Sequence, residues 1–251
     1  FLSILGGQVV PFEYAGLQSS NMTRGLRFYQ PDSMIVQGAN EYFTYLNSQG
    51  ILLDPLERKE KIKEQLRVAL KSQKGDEQYD EGLLDEVTNL LEAPTAVVGS
   101  FDKAHLAIPE EVLITVLKKH QRFFPIKSGK GLAPSFVAMR NGDDQHLDVI
   151  REGYEHVVRA RFADAHFFIK EDSRLKLEEY RTKLSTMLFQ KKLGSMLDKT
   201  ERVSKLVDAL SEQMGLSPDD VLVARRAAAL CKADLATKMV VEITSLQGVI
   251  G

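Results

Sequence analysis

With 251 residues, 43% of them apolar, the chain is long enough to bury substantial cores and predicts one large domain or two modest ones, with two preferred. A formal net charge of -2 means that any nucleic-acid binding has to come from a local patch. The single cysteine, Cys231, excludes an intrachain disulfide and a Cys-rich zinc module, and it fits a reducing compartment.

No run approaches the roughly 18 apolar residues that span a bilayer, and FLSILGGQVVPF has neither a basic leader nor a small-residue cleavage site, so a soluble protein is expected. The start at Phe1 without Met and the stop after SLQGVIG predict an internal fragment.

Residues 1 to 37 hold the apolar runs FLSIL, QVVPF and SMIVQ between Gly-Gly, Pro and the polar GLQSSNMTRG, which predicts short strands and loops. ANEYFTYLNSQ predicts a short helix. PLERKEKIKEQLRVALKSQ places Leu56, Ile62, Leu66 and Leu70 close to a helical stripe, broken at Lys74, Gly75 and Asp76. A third helix is expected from about Glu77 to Leu91, ending near Pro94, followed by the β-branched strand TAVVGSF.

IPEEVLITVLKKHQ predicts a helix with Pro109 at its start and Glu110 and Glu111 in its first turn, where they complement the dipole. RFFPIKSGKGLAPSFVAMRNG predicts a hairpin turning at Ser128 to Gly131. From about Gln145 strands are expected to disappear in favour of long helices near 145–171, 174–192, 196–214 and 218–240. Ser217, Pro218, Asp219 and Asp220 form a helix-start signal for the last. The pattern therefore predicts an α+β module over residues 1–145 and a helical region over 146–251.

Motifs for chemistry are sparse. SGKG lacks the longer phosphate-loop frame and sits between strands, as a hairpin turn does. His105, His120, His146, His156 and His166 form no HExxH pair, and His156 and His166 are nearly three helical turns apart, which disfavours a metal site. Glu152, Glu155, Asp164, Glu171 and Asp172 alternate with Arg151, Arg159, Arg161 and Lys170, as solvated ion pairs do.

The basic set has two readings. Lys118, Lys119, His120, Gln121 and Arg122 end a helix beside Phe123 and Phe124, and Arg140 with Asn141 ends the following hairpin. These cations either cap a helix over a buried Phe pair or form a phosphate-contacting edge for RNA. Arg225 and Arg226, with Lys232 and Lys238, are equally open between phosphate contact and solvated surface.

Six stretches together carry a resemblance: QVVPFEYAGLQSSNMTRGLRF, EEVLITVLKKHQRFFPI, RNGD at Arg140 to Asp143, REGYEHVVRARFADAHFF, FQKKLGSMLDKTERV and CKADLATKMVVEITSLQGVIG. In this order they resemble the β chain of the bacterial-type glycyl-tRNA synthetase, or the β-like half of a fused organellar chain. The resemblance implies an ATP- and Mg-using ligase that attaches glycine to tRNA(Gly), whose class II catalytic site lies on an α chain or α-like domain. On that reading this fragment has no catalytic residues or cofactor of its own, and its partners are the α chain and tRNA(Gly). The expected location is the cytoplasm, or a chloroplast or mitochondrion for an organellar chain.

The same resemblance implies that the α+β part is similar to part of the phenylalanyl enzyme's β chain, and that AALCKADLATKMV opens a degenerate HD-like all-α domain. There Ala233 precedes Asp234 where a working site has His, which disfavours the alternative of a metal-dependent phosphohydrolase. Another alternative is a scaffold that meets the α chain without touching RNA. Leu26 replaces the family's frequent His in Gly-His-Arg-Phe, and Tyr154 its usual Asn after REG, so a diverged or organellar relative without histidine contacts at Leu26 is expected. Lys118, Lys119, Arg122 and Arg140 are the candidate phosphate contacts, followed by Arg159, Arg225 and Arg226.

Overall fold

The computed structural model describes residues 1–29, 32–129 and 131–250; Lys130 of the SGKG turn lies outside them. The chain divides into two compact units, Phe1–Phe101 with Gln121–His156, and Asp102–His120 with Val157–Gly251.

The first unit begins with three small antiparallel pairs: β1 (Ile4–Leu5) with β2 (Gln8–Val9), β3 (Glu13–Tyr14) with β4 (Leu17–Gln18), and β5 (Met22–Thr23) with β6 (Met34–Ile35). Helices α1 (Ala39–Ser48), α2 (Pro55–Ser72) and α3 (Glu81–Leu90) follow. Asp54 starts α2 by accepting from the Leu56 N–H at 2.8 Å, with Pro55 supplying its first helical residue. Asp80 starts α3 in the same way, accepting from the Leu83 N–H at 2.8 Å.

Strands β7 (Pro94–Ser100), β8 (Phe124–Ser128) and β9 (Gly131–Asn141) form an antiparallel sheet in the order β7-β9-β8. The helical stripe of α2 meets this sheet: Ile62, Leu66, Ala69 and Leu70 share a core with Leu83, Leu84 and Val87 of α3 and with Phe124, Ile126, Val137 and Met139. A smaller core joins Leu26, Leu46, Ile51 and Ala93. Leu26 is 2% exposed, so this position serves packing in this chain.

The second unit starts with α4 (Glu110–Thr115), continued by the π-helix Val116–His120. Val112, Leu113, Val116 and Leu117 are buried, and α4 packs against the 3-10 turn Thr244–Leu246. Helix α5 (Leu147–Asp172) runs through the division, and its residues from Val157 onward bury Val158, Phe162 and Ala165 at helical spacing. The compact units do not follow the 145/146 division: Asp102–His120 groups with the later helices, where the apolar face of α4 is covered.

Two of the expected long helices are also interrupted. The one expected near 174–192 is α6 (Leu177–Lys183), a short 3-10 turn, and a hairpin of β10 (Leu188–Gln190) and β11 (Gly194–Ser195). Gly194 takes φ +81, and Ser195 caps the next helix, so the chain leaves helical geometry in this stretch. Helices α7 (Met196–Met214) and α8 (Pro218–Leu230) then pack together, joined through Gly215 in the left-handed conformation.

The final expected helix stops at Leu230. A 3-10 turn, Ala233–Ala236, and α9 (Lys238–Glu242) follow, because the Thr237 hydroxyl accepts from the Val240 N–H and starts a new helix.

Candidate nucleic-acid interface

The expected basic residues fall into both units. Arg122 and Arg140 belong to the first, whereas Lys118, Lys119, Arg159, Arg225 and Arg226 belong to the second.

Most of the arginines already have partners inside the protein. Arg122 adopts φ +56 at the entry to β8, and its Nε lies 2.8 Å from Glu86 Oε1. Arg225 Nε lies 2.6 Å from Asp208 Oδ1, linking α8 to α7, and Arg226 pairs with Glu178 of α6. These pairs are exposed to solvent, so each contributes little to stability and leaves its guanidinium partly available.

Arg140 is more deeply committed. Its Nη1 donates to the Asp143 carbonyl at 2.9 Å and to the Gln145 carbonyl at 2.6 Å, and its Nη2 reaches the Tyr29 hydroxyl at 3.3 Å and Asp143 Oδ1 at 3.4 Å. Its side chain is only 16% exposed. The Tyr29 hydroxyl also accepts from the Asp143 N–H at 2.9 Å. The RNGD motif is thus a knot that ties the end of β9 to the 3-10 turn Arg27–Tyr29.

The Phe pair is packing. Phe124 is 1% exposed, and Phe123 stacks on Phe136 with centroids 4.8 Å apart and rings 4° from parallel. Lys118 is half-buried and Lys119 exposed in the π-helix. Lys119, and Arg159 on the exposed side of α5, make no ion pair among the described residues.

The acidic residues are similarly occupied. Glu155 Oε1 accepts from the Ser100 N–H and hydroxyl, Glu171 pairs with Arg174 and Lys238, and Asp172 accepts the N–H groups of Lys238 and Met239. The Lys238 ammonium, the largest influence, holds the Glu171 carboxyl below the usual range. Asp234 is buried: its Oδ2 accepts from the Gly248 N–H at 2.5 Å, while Oδ1 has no hydrogen-bond partner among the described residues. No group of three or more His, Cys, Asp or Glu is placed to hold a metal among the described residues. None of the described helices is long and apolar enough to cross a membrane.

Sequence reasoning passed over a cleft of about 610 Å³ in the first unit, lined in part by Arg24, Arg27, Phe28, Ser33, Glu92 and Asn141. The signal available for it was NMTRGLRFY, where two arginines flank Leu26 and sit beside an aromatic pair.

The sequence pattern of the glycyl-tRNA synthetase beta subunit family matches residues 1–251. The chain belongs to that family. Glycine–tRNA ligase beta subunits of Clostridioides difficile and Oceanobacillus iheyensis are 44% and 42% identical to it, and that of Bacillus subtilis is 38% identical. Each match covers 100% of this chain, and the chain spans 36% to 37% of the length of these β-subunit relatives. Within KKHQRFFPI a buried Phe pair sits beside Lys119, which is exposed and makes no ion pair among the described residues, and the arginine of RNGD is bonded internally.

Proposed function

We propose that this chain is the tRNA-holding portion of a glycine–tRNA ligase β subunit. It grips tRNA(Gly) while an α chain or α-like domain forms glycyl-adenylate from glycine and ATP with Mg, so the fragment carries no reaction step of its own. The observation that carries this reading is the match to β-subunit relatives along all 251 residues. On the same reading the α+β part corresponds to part of the phenylalanyl enzyme's β chain, and the helices after Leu147 lead into an HD-like domain that has lost its metal chemistry. The protein then works in the bacterial cytoplasm, or in an organelle for a chain of organellar origin.

Within the chain, Lys119 and Arg159 are the basic-set members best suited to phosphate, because neither has to break an ion pair with a described residue to make the contact. Arg122, Arg225 and Arg226 would have to exchange a carboxylate, and Arg140 would have to give up its carbonyl bonds. The test compares α chain plus full-length β with α plus β carrying Lys119→Ala and Arg159→Ala. Charging of tRNA(Gly) should fall while glycine-dependent ATP–pyrophosphate exchange persists. The salt slope of tRNA binding should drop by about 0.9 for each lost contact. An unchanged slope would remove both residues from the interface.

A second reading, in which part of the fragment meets protein, is favoured by the α7–α8 hairpin. Leu206, Leu210, Met214, Leu222 and Val223 are large apolar side chains each more than half exposed there. Charged substitutions at Leu222 and Val223 that abolish co-purification with the α chain, without weakening tRNA binding, would support it.

A further inference from the structure

The cleft of the first unit has a composition that its fold does not use. Arg24 leaves β5, and its Nε donates to Ser33 Oγ at 2.9 Å, which holds the guanidinium in place and leaves its two terminal nitrogens without partners among the described residues. Arg27 lines the same cleft and makes no hydrogen bond or ion pair with a described residue. Asn141 is oriented by two backbone donors: its Oδ1 accepts from Glu92 N–H at 2.9 Å and Ala93 N–H at 2.8 Å, and its Nδ2 makes no hydrogen bond with a described residue. Phe28 is 58% exposed beside these groups, and Tyr29, fixed by the Asp143 N–H, braces it edge-on with centroids 5.8 Å apart.

Two guanidinium groups offer forked donors that match a phosphate. The Glu92 carboxylate at the same cleft reduces the local charge to about that of one cation, which suits a single phosphodiester rather than a polyphosphate. The volume exceeds what a phosphate fills and lies within the usual ligand range of about 300–1,000 Å³. An exposed aromatic beside a phosphate site is the arrangement by which proteins stack an unpaired base, whereas a duplex hides its base faces. Asn141 and Glu92 then supply one donor and one acceptor for the edge of that base.

We propose that this cleft holds one unpaired nucleotide of an RNA strand, with its phosphate on Arg24 and Arg27, its base against Phe28, and Asn141 Nδ2 donating to a base or ribose oxygen. The assignment rests on the tRNA-holding reading but concerns residues separate from Lys119 and Arg159. It gives the Tyr29–Arg140–Asp143 knot a purpose, since the knot fixes Asn141 and the turn carrying Phe28 in one unit.

The test uses full-length β chain bound to its α chain. Fluorescence anisotropy follows a short single-stranded oligoribonucleotide, a blunt RNA duplex and tRNA(Gly) across a salt series. Arg27→Gln and Phe28→Leu alter exposed side chains, and thermal melting checks that both variants stay folded. Each should weaken single-strand binding about ten-fold and leave duplex binding unchanged. Arg27→Gln should also lower the single-strand salt slope by about 0.7. Wild-type affinity in both variants would overturn the proposal, as would a loss confined to Arg27→Gln, which marks a phosphate-only site. Loss of α-chain association with RNA binding intact would overturn it in favour of a protein contact. If Lys119→Ala weakens tRNA binding while the cleft variants do not, only the cleft assignment fails; if wild-type β chain with α binds no tRNA, the underlying reading fails.

Discussion

The Tyr29 hydroxyl and the Arg140 guanidinium, 111 residues apart in sequence, meet at 3.3 Å. The same hydroxyl accepts from the Asp143 N–H, so a single phenol oxygen joins a turn near the start of the chain to the end of the central strand. A residue that sequence reasoning offers to RNA is thereby held by its own fold.

Removing that oxygen should cost stability without touching the core. Tyr29→Phe is expected to lose about 1–2 kcal/mol, because the Asp143 N–H forfeits its acceptor. Arg140→Ala is expected to lose about 2 kcal/mol or more, since it leaves two carbonyls without a charged donor. Urea unfolding of the full β chain measures both. An Arg140→Ala chain as stable as wild type, with a reduced salt slope for tRNA, would return Arg140 to the RNA side.

Gly142 is required at the same knot. It adopts φ +146, and a Cβ there would stand 2.7 Å from the Tyr29 hydroxyl oxygen. Gly142→Ala should therefore destabilise by about 1–3 kcal/mol, from backbone strain together with displacement of Tyr29. In the double variant with Tyr29→Phe the two costs should be less than additive, because both disturb one contact; thermal or urea unfolding of the cycle measures this.

Asp198 gives the start of α7 a pH-dependent contribution. The Ser195 N–H, at 2.6 Å, and then the Ser195 hydroxyl hold its carboxyl below the usual range. A folded value lowered in this way adds stability that is present above the unfolded value of about 4 and disappears as pH falls through the folded value. Asp198→Asn should accordingly melt below wild type near neutral pH, and the gap should close on acidification. A gap independent of pH would show that the carboxylate charge is not involved.

Asp234, buried in the second unit, acts as a brace for Gly248. Asp234→Asn keeps an acceptor for the Gly248 N–H and should change stability by less than about 1 kcal/mol, whereas Asp234→Ala leaves that N–H without its acceptor and should cost about 1–3 kcal/mol. Adding Mn²⁺ or Mg²⁺ should leave the melting temperature of either variant where it stands. A metal-dependent rise in wild type that Asp234→Asn abolishes would revive the metal reading.

Much of the local architecture is readable in the residues themselves. Asp54 and Asp80 mark helix starts, Pro109 and Pro218 open helices, TAVVGS lies in a strand, and the stripe from Ile62 to Leu70 names the face that becomes core. These signals work because caps, turns and helical periodicity act over a few residues. The helix expected near 174–192 failed because its competing contacts are carried by Gly194 and Ser195, just beyond its end.

By itself, the sequence determined the family, through motifs spread along the whole chain, and most helix starts, through neighbours within one turn. Only the tertiary structure decided which arginines are held by partners within the fold. Arg140 meets Tyr29, Arg122 meets Glu86 and Arg225 meets Asp208 across long stretches of chain, while Arg24, Arg27 and Asn141 come to line one cleft. An arginine's availability depends on which carboxylate or carbonyl lies within about 3 Å of it, and folding alone brings those partners that close.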